Sequence, residues 1–220
     1  MPRSDAARRA VIGANTLCAI VSVIGVSVVI GWLFDFPALR NIYPGWVSMK
    51  FSTAFSFMLA GTMVYCVGRI ARGDRAWAQV LLPVLVLMIL LPMAALLTAN
   101  VLGIDIAVAD MIVQEGDSAV KTVSPGRPSF MTMVSFILIA QVGLVAMFVP
   151  QGKPTLWRLA GTALLVIGVI ALLGYLLDAP ALYYYRANFS TAMAAHTAML
   201  FILLGASLWL TAQEADKAGP

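Results

Sequence analysis

The chain has 220 residues, 61% of them hydrophobic and only 11% charged, with a mean hydropathy of +0.93. Soluble domains carry about 25% charged residues, so this composition excludes an ordinary water-soluble globular domain. A net charge of +4 in so apolar a chain suits an anionic lipid surface and gives no reason to expect a nucleic-acid partner.

A hydrocarbon core about 30 Å thick needs ~20 apolar residues per helix. Six apolar stretches, uncharged apart from Arg69 at the inner end of the second, reach about that length: Val11–Leu33, Phe51–Ile70, Ala76–Thr98, Ser129–Val149, Leu159–Leu177 and Ala192–Thr211. The expectation is an all-α polytopic membrane protein, one transmembrane domain over residues 1–220 with the bilayer as its solvent.

The first span opens after Arg8-Arg9. Its apolar run is too long for a signal peptide and lacks a small-residue cleavage site, so it is expected to stay in the membrane. It closes in Gly25-Val26-Ser27-Val28-Val29-Ile30-Gly31-Trp32-Leu33-Phe34-Asp35-Phe36-Pro37-Ala38-Leu39. The fifth span closes in the same frame, Gly168 through Gly174-Tyr175-Leu176-Leu177-Asp178-Ala179-Pro180-Ala181-Leu182. An aromatic marks the membrane interface, an Asp follows, and Pro37 and Pro180 stop the helix. The third span carries Pro83 and Pro92, the second expected to kink it, and ends in the looser Gly103-Ile104-Asp105-Ile106. Asp35 and Asp178 are expected to be structural, each holding its exit loop through backbone N–H groups or a local Arg, with Arg40 and Arg186 as candidates.

The even spans form a second family. Residues 49–61, 128–140 and 193–205 align without gaps, sharing Thr53/Thr132/Thr197, Phe57/Phe136/Phe201, Leu59/Leu138/Leu203 and a small residue at Gly61/Ala140/Gly205. Thr, Phe and the small residue lie four apart and therefore on one helical stripe. The chain thus reads as three helical-hairpin repeats, approximately 11–70, 76–149 and 156–211. Each starts on the same side, so the repeats are parallel and close most naturally around a pseudo-threefold axis.

Lys and Arg orient the bundle. With the N-terminus inside, Arg3, Arg8, Arg9, Arg69, Arg72, Arg75, Lys153, Arg158 and Lys217 are inside, against Arg40, Lys50, Lys121, Arg127 and Arg186 outside. That excess predicts both termini in the cytoplasm, and a place in a bacterial inner membrane. The acidic loop Ala99–Pro128 then faces outward. Cys18 and Cys66 fall in the cytoplasmic half, where a disulfide is not expected.

His196 is the only histidine, and the repeat alignment puts Ser52 and Met131 at its position in the other copies. If the even spans face a common axis, Ser52, Met131 and His196 approach one another near the outer surface, each followed by Thr53, Thr132 or Thr197. In one reading the hydroxyls bond carbonyls a turn back and His196 is a satisfied interfacial ring. In the other, these six residues line a shallow outward-facing ligand pocket with His196 as its polar anchor and Trp46 and Tyr185 near its mouth. A His–Met pair could hold a soft metal. Two-histidine haem ligation is closed to a chain with one histidine, and the sequence names no cofactor. Apart from Arg69 at the inner end of the second span, no Asp, Glu, Lys or Arg lies within a span; no phosphate-binding glycine motif occurs, and no nucleophile sits beside a base. Enzymatic activity is not expected.

At Gly103-Ile104-Asp105-Ile106, Pro125-Gly126-Arg127, Asp178-Ala179-Pro180-Ala181-Leu182-Tyr183 and Met193-Ala194-Ala195-His196-Thr197-Ala198, the chain resembles the membrane-embedded N-terminal sensory region of bacterial sensor histidine kinases and related signalling proteins. The likeness runs from about Gly25 to Gly205. That family often carries Asn before the Thr in the first two copies, where this chain has Ser52 and Met131. Such sensors continue into an output domain; nine residues after Thr211 hold none, so the expectation is a solitary module, a membrane domain reused as a subunit of another complex, or a chain cut before its output domain. The resemblance implies a sensor-like, ligand-binding module acting through a protein partner in the membrane or at its cytoplasmic face. Two alternatives stand beside it: an accessory subunit of a redox or photosynthetic membrane complex, and a small transporter, which the charge-free spans disfavour.

Overall fold

The computed structural model describes residues 5–43, 46–74, 76–104, 126–149, 153–184 and 191–218. Six long apolar helices dominate: α1 (Asp5–Leu33), α3 (Phe51–Ala71), α4 (Ala76–Leu102), α5 (Phe130–Phe148), α6 (Pro154–Leu176) and α7 (Ala195–Ala218). The four-residue α2 (Pro37–Arg40) follows α1, and a 3₁₀ turn at Pro180–Leu182 follows α6 in the same way. All six long helices are long and apolar enough to cross a membrane, so the chain is a multi-pass membrane protein in contact with lipid. Among the described residues there is no strand.

Helix ends depart from the sequence expectation for identifiable reasons. Pro154, fixed at a helical φ and needing no N–H in the first turn, starts α6 five residues early. Residues 191–194 are not helical; Met193 N–H is bonded instead to the Tyr183 carbonyl at 2.9 Å. α7 runs past Thr211 because its last turns are tied down: Glu214 pairs with Arg72 at 3.0 Å, and Asp216 with Arg158. α4 continues unbroken through both Pro83 and Pro92.

The helices sort into an inner and an outer set. About two thirds of the α3 and α7 spans (67%) and half of α5 (50%) are buried, against 33% for α1, α4 and α6. α1 packs on α3 and α7, α4 on α5 and α3, and α6 on α7 and α5, the last being the thinnest of these contacts. At the centre Phe57, Phe136 and Phe201 are fully buried, with ring centroids 4.8, 4.9 and 5.2 Å apart. Offset and edge-on aromatic contacts at such distances are each worth about 0.5–1.5 kcal/mol beyond area burial.

Two crossings depend on glycine. A methyl group on Gly25 would come within 2.6 Å of Met58 N, and one on Gly168 within 2.6 Å of Ala198 O. Backbones therefore touch where α1 crosses α3 and where α6 crosses α7, the close approach that small residues permit in membranes. Cys18 and Cys66 are buried and free, and Cys18 Sγ lies 3.0 Å from Ser207 Oγ, which donates to the Ala14 carbonyl.

Candidate functional site

The end of the bundle opposite the termini carries the residues of interest. α1, α4 and α6 all arrive there and stop in one way. Asp35 (φ 53°), Gly103 (φ 67°) and Asp178 (φ 48°) are left-handed, and the next N–H reaches back five residues: Phe36 to Gly31, Ala179 to Gly174 (both 2.8 Å) and Ile104 to Ala99 (2.9 Å). This satisfies carbonyls that a helix C-terminus otherwise leaves open. The sequence frame matches Asp105 to Asp35 and Asp178, whereas the backbone gives that conformation to Gly103, the residue with no steric penalty there. Asp105 lies outside the described residues. Arg40 Nη2 donates to Asp35 Oδ1 at 2.7 Å, although that carboxylate is 88% exposed. The other candidate pair, Asp178 with Arg186, involves a residue outside the described set.

Beyond each aspartate the chain is pinned to the start of the next helix. Trp32 Nε1 donates to the Met49 carbonyl at 2.9 Å, and Tyr175 Oη to the Met193 carbonyl at 2.8 Å. Met49 N–H bonds the Arg40 carbonyl at 3.1 Å, as Met193 N–H bonds that of Tyr183. Arg40 covers the Trp32 ring at 4.6 Å, and Tyr183 stacks on Tyr175 at 4.1 Å.

Ser52, Met131 and His196 are each the second residue of α3, α5 and α7, and each precedes a buried threonine. Ser52 Oγ donates to the Gly126 carbonyl at 3.4 Å. Thr132 bonds the N-cap Ser129: its N–H donates to Ser129 Oγ at 3.1 Å, and the two hydroxyls lie 2.7 Å apart. His196 is buried, and its Nε2 has no hydrogen-bond partner among the described residues. Trp46 packs at 4.9 Å on Tyr175; Tyr185 lies outside the described residues.

A cavity of about 210 Å³ opens at this end, in the seam between α5 and α6. Ser129, Met131, Ile167, Ala171, Tyr183 and Met193 form its wall, with Ile170, Ala181 and Leu182 at its edge. Of the six residues singled out from the sequence, Met131 alone lines it. The cavity lies beside the central stripe rather than on it. No carboxylate, ammonium or guanidinium group lines it, and the Ser129 hydroxyl is engaged by Thr132. Such a wall holds a guest by excluding water and by dispersion. Among the described residues no three of His, Cys, Asp and Glu gather closely enough to share a metal ion.

The seam is open where side-chain volume is missing. In the shared Gly-x5-Gly frame Ala171 stands where the first copy has Val28, and both are buried. That difference is the sequence signal for the cavity. The aromatic bonds to Met49 and Met193 have a weaker one, the aromatic after each second glycine. Comparison with protein-family models, with curated proteins and with solved structures finds no match to this chain.

Proposed function

We propose that this chain is a non-enzymatic, sensor-like membrane module that binds a small ligand at the end opposite its termini and acts through a protein partner. In this reading it is built of three parallel hairpin repeats around a pseudo-threefold axis, lies in a bacterial inner membrane, and keeps both termini in the cytoplasm. The observation that carries the binding role is the cavity of about 210 Å³ between α5 and α6, bounded by Met131 and Met193. Small-molecule sites are concave, mostly apolar and few per protein. Support for the repeats comes from the near-equilateral triangle of Phe57, Phe136 and Phe201 and from the matched Trp32–Met49 and Tyr175–Met193 bonds. Support for action through a partner is the anchored end of α7, where Arg72 and Arg158 hold Glu214 and Asp216; a shift of α3 or α6 would be passed on to the helix end. The resemblance to sensor-kinase membrane regions points the same way.

The test is purification in mild detergent, mass spectrometry of bound small molecules, and cross-linking from the α7 end with and without them. The proposal expects a co-purifying molecule whose removal changes the cross-linked partner. A chain that arrives empty, with cross-links indifferent to added extract, overturns it. His196→Gln separates a histidine-anchored site from one confined to the α5–α6 seam. Loss of the bound molecule on a normal fold assigns it to His196, and retention leaves His196 a packing residue.

A further inference from the structure

The α5–α6 cavity shares its rim with the lipid-facing side of α6. Val166, Val169, Ile170, Leu173 and Leu176 are 43–80% exposed along that helix, so they form a strip against hydrocarbon. Ile170 belongs both to that strip and to the cavity lining. Leu182, 41% exposed on the 3₁₀ turn, closes the distal side. The lipid-facing strip thus reaches the cavity at Ile170. Nothing charged lines the cavity to fix an ionic or strongly polar head. An apolar space of this kind favours a guest that supplies the missing dispersion contacts, and about 210 Å³ is less than the ~300 Å³ at which sites for whole drug-sized ligands begin.

Resting on the binding role proposed above, we infer that the cavity takes the end of a hydrocarbon chain, acyl or isoprenoid, entering sideways from the bilayer between α5 and α6. Ala171 lines the cavity where the first copy has the larger Val28, and α6 leans only lightly on α5. Met131 and Met193, unbranched and adaptable, suit a flexible guest. The guest's polar group stays in the interface beyond Leu182.

The experiment uses the full chain in vesicles of phosphatidylcholine whose acyl chain ends in a photoreactive diazirine, with labelled residues mapped by peptide mass spectrometry. Labelling is expected at Met131 and Met193 as well as at the exposed α4 positions Val84 and Leu87. Ala171→Phe fills the cavity from the α6 side, and Ala181→Phe obstructs it from the exposed turn, where a larger ring is sterically tolerated. Both variants should lose the Met131 and Met193 labels and keep those on α4. If Ala171→Phe does not fold, Ala181→Phe decides alone. Labels confined to Val84, Leu87 and other exposed positions overturn the inference, as do Met131 and Met193 labels that persist in the folded variants. A polar molecule that co-purifies with the wild type while the cavity stays unlabelled leaves the binding role standing and removes only the hydrocarbon chain.

Discussion

The indole N–H of Trp32 donates to the carbonyl of Met49, 17 residues on, at 2.9 Å. The bond closes a loop: α1 exits through a left-handed Asp35, α2 doubles back, and the chain is clipped to its own helix just before α3 begins. Tyr175 closes the equivalent loop on Met193 with a hydroxyl instead of an indole. Both acceptors belong to buried residues, so losing the donor leaves a carbonyl without water to replace it. Trp32→Phe and Tyr175→Phe should each cost about 1–3 kcal/mol, read as a lower midpoint in thermal unfolding in detergent. Unchanged midpoints in both variants would refute the clip.

The central rings give a larger effect. Phe57→Ala, Phe136→Ala and Phe201→Ala each delete a fully buried ring and should destabilise by about 3–5 kcal/mol. Because the rings touch pairwise, a double variant should lose less than the sum of two singles. Additive losses would show that the triangle is not a packed unit.

Both aspartates adopt a left-handed backbone. Asp35 is 88% exposed, so its pair with Arg40 contributes little, whereas the left-handed backbone excludes branched side chains. Asp178→Val should cost about 1–2 kcal/mol, and Asp178→Gly should be neutral or stabilising. Equal effects of Val and Gly on thermal stability would show that the backbone angle plays no part.

Orientation is tested at Ser118, in the acidic loop outside the described residues. Ser118→Cys should react with an impermeant thiol reagent in intact cells, while Cys18 and Cys66, both buried, stay silent. Reaction only after lysis would invert the assignment of the termini to the cytoplasm.

Six spans are legible in the sequence because uncharged apolar runs of bilayer length have no place in a fold surrounded by water. The meeting of Phe57, Phe136 and Phe201 is legible because a four-residue stripe repeated in three helices has to face something common. The clips are not, since a sequence shows an aromatic at the interface but not where its polar atom points. Asp35 takes the bond from Arg40 that the sequence led one to expect, but its left-handed backbone angle is invisible in sequence. The cavity is hidden because it is a deficit. His196, Ser52 and the threonines advertise polar atoms, while at the cavity the sequence offers only a small residue, Ala171, where the first copy has Val28.

The Phe57–Phe136–Phe201 triangle also governs what can travel through the molecule. Rings whose centroids lie 4.8–5.2 Å apart are in mutual contact and plug the middle of the bundle like a closed iris. An ion or water file along the middle would have to displace these rings. The middle of the bundle is thereby a packed core at this level rather than an open passage.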